Sequence, residues 1–205
     1  MVKTIFWDFD GVILDSMKIK GDGFVELFQD YDKPYTDAIE AYHYANGGVS
    51  RFDKIYYFYK HILGQELSEK KMLVLAEQFA TLIEEKLYNR ENLIDDTIYF
   101  IQKNYENYNF HIVSGAEHQE LNKLCDFLEI TKYFVSIDGS PTKKDILVKN
   151  IFKKYNYQKN EVILIGDALS DYDAAKENNI KFYGYNNSKL KNLEHYISSF
   201  QEITL

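Results

Sequence analysis

Asp8 and Asp10 flank a single phenylalanine and are followed by Gly11. In an extended strand, residues two apart point to the same face. Two carboxylates so placed repel each other unless a cation or a proton sits between them. Mg2+ takes oxygen ligands and keeps several waters, so an Asp-x-Asp pair at a strand end suits a metal and a catalytic role. A solvated acidic turn is the plainer alternative. Gly166-Asp167 and Asp171 offer further carboxylates. Asp167 follows four apolar residues and a glycine; Ser170 or Asp171 has the alternative role of capping the helix that follows. Ser114-Gly115 supplies a hydroxyl and backbone N–H groups of the kind that hold phosphate oxygens, or that cap a helix. Lys143-Lys144 offers an ammonium that would neutralise carboxylates and phosphate together. Its alternative is a solvated helix start, although helix N-termini favour acids.

These residues share a setting. Apolar runs Thr4–Trp7, Phe110–Val113, Tyr133–Ile137 and Val162–Ile165, with a weaker run Lys181–Tyr185, end in the polar clusters above. Such runs read as buried parallel strands. Helical periodicity over 117–129, 142–156 and 170–178 separates them, and a helix near 95–107 precedes the second. The expected fold is α/β, a doubly wound, mostly parallel sheet that binds ligands at the carboxyl ends of its strands. Residues 16–91 break the alternation with helical spacing such as Met72, Leu75, Ala76, Phe79, Leu82 and Ile83. They are expected to form a helical insert between a core made of 1–15 and 92–205. After Ser188 a helix and a last short strand are expected.

The chain has 205 residues and a formal charge of −8. That charge disfavours nonspecific nucleic-acid binding, which needs a basic surface. The lone Cys125 has no partner for an internal disulfide, and no stretch reaches the length of a membrane span. With no signal peptide recognised, a cytoplasmic protein with no membrane or nucleic-acid partner is expected, as a monomer or weak homodimer. The run Tyr56-Tyr57-Phe58-Tyr59 is expected to be packing, Cys125 a small core residue, and His43, His61, His111 and His118 show no metal-ligand spacing.

Taken in order, Asp8-Phe9-Asp10-Gly11-Val12 with Asp15-Ser16, Val113-Ser114-Gly115, Gly139-Ser140-Pro141-Thr142-Lys143-Lys144-Asp145, and Ile165-Gly166-Asp167 through Asp171 and Ala174-Ala175 resemble the four motifs of the haloacid dehalogenase superfamily. Each is weak alone, and the ordered set covers nearly the whole chain. The resemblance implies a Rossmann-like core with a helical cap and a Mg2+-dependent phosphatase acting on a small phosphate ester. It implies Asp8 as nucleophile. Asp10 becomes general acid and base. Asp8, Asp167 and the Asp10 main-chain carbonyl become metal ligands, with Asp171 supporting. Ser114, Gly115 and a lysine would hold the phosphoryl oxygens. Without cations such a site repels its substrate, since each like-charge pair at about 4 Å costs about 4 kcal/mol at moderate dielectric. Many relatives carry Lys-Pro in the third motif; by spacing to Asp145, Lys143 is the expected catalytic lysine. Asp10 argues for phosphate chemistry over carbon–halogen cleavage. Gly47-Gly48-Val49-Ser50-Arg51 resembles the specificity loop of sugar-phosphate members including β-phosphoglucomutase, with Arg51 as a substrate contact or paired with Asp53. Lys20 is a further candidate to face the cleft. A phosphosugar mutase is the alternative activity, and a non-catalytic binding protein the third reading.

Overall fold

The apolar runs become strands because alternate side chains are buried on two sides. In the computed structural model, which describes residues 1–203, they are β1 (Thr4–Trp7), β2 (Asn109–Glu117), β3 (Ser136–Ser140), β4 (Val162–Gly166), β5 (Lys181–Tyr185) and β6 (Tyr196–Ile197). They form one sheet in the order β3-β2-β1-β4-β5-β6, and every pairing is parallel. The helices between them are α5 (Asp95–Asn104), α6 (His118–Phe127), α7 (Lys144–Tyr155) and α8 (Leu169–Asn178). Ile5 and Trp7 join Phe100, Ile101, Leu121 and Leu124 of α5 and α6 on one face, where Trp7 meets the rings of Phe100, Phe110 and Phe200 at 5.3–5.9 Å. Phe6 joins Leu147, Val148 and Ile151 of α7 and Ala174 and Ala175 of α8 on the other. Period-two alternation of a central strand between two helical layers is what a doubly wound sheet requires.

The third strand is shifted from its expected place. Tyr133 ends a 3-10 turn, and pairing starts only at Ser136 and runs through Asp138 and Gly139. β3 is an edge strand with half-exposed positions, so it lacks the unbroken apolar signal of a central strand.

Residues 16–91 contain no strand. They form α1 (Met17–Leu27), α2 (Lys33–Ala45), α3 (Arg51–Tyr57), which continues into a π-helical turn over Phe58–Ile62, and α4 (Glu69–Leu87). The Ser50 and Ser68 hydroxyls cap α3 and α4 by accepting the amides of Asp53 and Lys71 at 3.2 and 3.3 Å. Ring pairs lock these helices together, Phe24 on Phe79 at 4.2 Å and Phe28 on Phe58 at 3.7 Å. Such pairs contribute about 0.5–1.5 kcal/mol each beyond the area they bury. Within the Tyr56–Tyr59 run, Phe58 and Tyr59 are buried and Tyr57 stacks on Tyr42 at 3.5 Å. Cys125 is fully buried. One apolar cluster runs from the sheet face through Phe9 into these helices. No helix among the described residues is long and apolar enough to cross a membrane.

Candidate active site

β1 lies between β2 and β4, so its carboxyl end is the meeting point of three strand tips. Strand order reverses here, with β2 and β3 to one side and β4 to β6 to the other, which is where open α/β sheets hold ligands. Asp8 follows β1 and donates its amide to the Ile165 carbonyl at 2.9 Å. Its Oδ1 accepts from the Phe9 amide at 2.7 Å and lies 2.8 Å from Lys144 Nζ. Its Oδ2 is buried and has no partner. Asp167 follows β4 and likewise keeps a buried, unpartnered Oδ1. Carboxylate oxygens of Asp8, Asp167 and Asp171 lie within 4.8 Å of one another.

Gly11 is what lets Asp167 enter. Its φ is +77°, and a Cβ there would stand 2.2 Å from Asp167 Oδ2, so any side chain would displace the carboxylate. Asn186 and Asn187 lash the two loops together, donating to the carbonyls of Gly11 and Asp167 at 3.0 and 2.7 Å.

The electrostatics ask for a cation. Burial, then the neighbouring Asp171, pushes the Asp8 carboxyl up to about 7 despite Lys144. Burial, then Asp8 and Asp171, holds Asp167 well above the ordinary carboxylate range. Orphaned oxygens on both residues, in a pocket that resists their ionisation, fit a divalent ion with hard oxygen ligands. Asp171 is different. Its Oδ2 accepts the Ala168 amide at 3.0 Å, and its Oδ1 pairs with Lys144. One side chain thus both accepts an amide at the start of α8 and pairs with the buried lysine.

Of the two lysines, Lys144 and not Lys143 is placed against Asp8 and Asp171. Lys143 is the exposed N-cap of α7, and Lys144 is the first helical residue and buried. One helical step turns a side chain by about 100°. Lys144 shares its face with Leu147, Val148 and Ile151, which are buried, whereas Lys143 is off that stripe. The expectation for Lys143 came from counting back from Asp145; helical spacing from the apolar positions of α7 points to Lys144. Burial works against its charge, but Asp171 and Asp8 outweigh it and raise its pKa.

Asp10 is held apart from this cluster. It accepts from Ser16 Oγ and pairs with Lys20 Nζ, both at 2.5 Å. Burial pushes its carboxyl up, but Lys20 and the bonds from Lys20 and Ser16 hold it below the ordinary value. Lys20 thus faces the cleft. Ser114 is buried at the β2 tip, where the pairing register jumps between Val113 and Glu117. It does not cap α6, a role taken by Glu117, which accepts the Glu120 amide at 2.9 Å. Gly115 meets the helical insert: a Cβ there would stand 2.5 Å from the Gly48 carbonyl.

That loop, residues 47–49, separates two recesses. One, about 240 Å³, is lined by Asp10, Lys20, Arg51 and Lys54, with Phe24, Phe79, Ile83 and Leu121 behind them. The other, about 400 Å³, opens over Lys144, Ser140 and Ser170. Arg51 reaches the first recess, but its guanidinium is committed to Glu120 of α6 and to the Ala76 carbonyl at 3.1 Å. Its expected alternative partner Asp53 is taken by Ser50 Oγ at 2.7 Å. Neither Glu120 nor Lys54 is marked by sequence spacing, because both depend on how the insert lies on the core.

The family model described as haloacid dehalogenase-like hydrolase matches residues 5–185. Among curated proteins none matches. A β-phosphoglucomutase from Clostridium difficile is similar in structure, with a TM-score of 0.77 at 18% identity over 100% of this chain and 94% of that one. A protein from Haemophilus somnus described as a predicted phosphoglycolate phosphatase has a TM-score of 0.74 at 15% identity, covering 97% and 95%. YfnB from Bacillus subtilis, a HAD-hydrolase bound to magnesium, has a TM-score of 0.69 at 16% identity, covering 98% and 96%. At these identities the likeness is one of fold.

Proposed function

The chain belongs to the haloacid dehalogenase-like hydrolases, and on that premise we propose that it hydrolyses a small phosphate monoester with Mg2+, through a phosphoryl group carried on Asp8. The observation that carries this reading is the pair of buried, unpartnered oxygens on Asp8 and Asp167 beside Lys144. Residues 1–15 and 92–205 act as the catalytic core, and residues 16–91 as a cap that excludes water from the reacting centre.

Asp8, Asp167 and the Asp10 main-chain carbonyl would hold the ion. When bound, Mg2+ supplies charge that draws the phosphoryl group to Asp8 and offsets the negative charge of transfer. Asp8 attacks phosphorus; the Asp8–phosphorus bond forms as the bond to the alcohol oxygen breaks, and Asp10 gives its proton to that oxygen. In the second half, Asp10 takes a proton from water, which attacks phosphorus and releases inorganic phosphate and free Asp8. Lys144 orients Asp8 and, with Ser114 and the Gly115 amide, holds the equatorial oxygens. Lys20 keeps Asp10 ionised at rest, the state needed for the second half. The incoming phosphate dianion opposes Lys20 and favours the protonated state needed for the first.

The recess of about 240 Å³ beside Asp10 suits a small-molecule leaving group. The mutase alternative requires a second phosphate to be held in that recess, and Arg51, the residue suited to it, is paired with Glu120. A non-catalytic role is disfavoured because every acid and base of the mechanism is present.

The reading is tested with 4-nitrophenyl phosphate. Phosphate release with Mg2+ is expected to fall about a hundredfold or more on adding EDTA and to return with excess Mg2+. An acid-quenched enzyme should carry hydroxylamine-labile phosphate. Activity indifferent to EDTA, or isomerisation of glucose 1-phosphate faster than its hydrolysis, would overturn it.

Lys20 provides a check on pH dependence. In Lys20→Met the effect of burial on Asp10 is opposed only by Ser16 and the more distant Lys54, so its carboxyl rises. The base form then appears only at higher pH, and the acidic limb of the kcat profile is expected to move upward. A limb that stays in place would remove Lys20 from control of Asp10.

A further inference from the structure

Lys54 stands on α3 with 3% of its surface exposed. Its Nζ lies 3.0 Å from His43 Nδ1 and 3.3 Å from the Gly47 carbonyl. His43 Nε2 lies 2.8 Å from the Met17 carbonyl. A carbonyl only accepts, so Nε2 carries the ring proton; burial, then Lys54, pulls the imidazole down to about 3 and keeps it neutral. Nδ1 is therefore an acceptor, and the Lys54 ammonium is held by neutral groups alone.

The other cations withdrawn from solvent around the site all have carboxylates: Lys20 has Asp10, Arg51 has Glu120, and Lys144 has Asp8 and Asp171. Among the described residues, Lys54 is the buried cation with no carboxylate in contact. Burial and the nearby Lys20 pull its pKa down to about 7. A buried charge without a counter-ion is unfavourable and a methionine would fill the same space, so the position makes sense when a ligand brings the missing anion.

The place of Lys54 says which part of the ligand that is. It shares the smaller recess with Asp10, the proton donor to the leaving oxygen, whereas Asp8, Ser114, Lys144 and Asp167 do not line that recess. The leaving alcohol therefore enters it, with the phosphoryl group on the other side. Beyond Lys54 the buried wall is Phe24, Phe79, Ile83 and Leu121, while Glu77, Thr81, Glu84 and Tyr88 also line the recess from more exposed positions.

We propose that Lys54, positioned by His43, is the specificity-determining cation of this site and pairs with a carboxylate on the leaving alcohol, so that the substrate is the phosphate ester of a small hydroxy acid. This rests on the phosphatase reading above for the identity of the leaving group.

The test is binding of unreactive phosphonates, measured calorimetrically with Mg2+. Carboxyalkylphosphonates of two to four carbons are compared with hydroxyalkylphosphonates of the same length. In the wild type the carboxylate is expected to lower Kd about tenfold or more at the best length, as a charge-assisted bond does. In Lys54→Met that ratio should fall to about one. Should Lys54→Met fail to fold, Lys54→Gln is read in the same way. A wild type without carboxylate preference at any length overturns the proposal, and so does a variant in which both series weaken together and the ratio survives, as a purely structural or phosphoryl-binding lysine would give. Turnover separates the two readings. Hydrolysis of 4-nitrophenyl phosphate without carboxylate preference overturns the role of Lys54 alone. Carboxylate preference without hydrolysis of any ester overturns the phosphatase and upholds the anion site.

Discussion

Asp8→Asn is expected to abolish phosphate release, lowering kcat by about four powers of ten or more, as loss of a covalent nucleophile does. The amide has nearly the shape of the carboxylate and none of its nucleophilicity, and it is a poor ligand for a hard cation. The fold is expected to survive, with a further sign. Asp8 is pushed from 3.8 to about 7 in the folded protein, first by burial and then by Asp171. A raised carboxyl favours the folded state only while protonated, so without metal the wild type loses stability as pH climbs from about 4 through about 7. The asparagine variant carries no such penalty. Thermal denaturation in EDTA should show it equal to or above the wild type at pH 8. Substantial residual turnover, or a collapsed fold in EDTA, would remove Asp8 from its assigned place.

Lys144→Met should be nearly as damaging and Lys143→Met nearly silent. Lys144 lies 2.8 Å from Asp8 and also pairs with Asp171, with 6% of its side chain exposed. Its loss strips a charge from the phosphoryl oxygens and lets the two carboxylates face each other. A fall in kcat of about 10²–10³ is expected, as for other preorganised donors to a developing charge. Breaking a buried ion pair from one side costs about 3–5 kcal/mol, so the melting temperature should fall as well. Lys143 is exposed where it lines the larger recess and makes no ion pair among the described residues, and its variant should stay within about twofold of the wild type in kcat. Equal effects at the two positions would contradict the assignment.

The sheet and its acidic tips were readable from sequence for one reason. Central parallel strands are buried on both faces, so Thr4–Trp7 and Val162–Gly166 appear as unbroken apolar runs, and the polar residues that end them must lie at the carboxyl edge. The edge strand β3 has only partial cover, and its apolar prelude Tyr133-Phe134-Val135 led the expected strand too early. His43 and Lys54 left no signal at all. Each lies on a helix whose partners are set by packing between α1, α2 and α3, and a scattered histidine or a lysine near a helix start has the look of a solvated surface. Arg51 was recognisable as a cation near the cleft, but its engagement by Glu120 joins residues 69 positions apart, beyond any local pattern.

Trp7 is the sole tryptophan, one residue before Asp8, and its indole is ringed by Phe100, Phe110 and Phe200 on the sheet. The molecule thus carries a natural optical label in its innermost layer. The emission of that label is tied to the integrity of the strands and has no ring contact with the helices of residues 16–91 among the described residues, so opening of those helices and melting of the sheet are two events that light can tell apart.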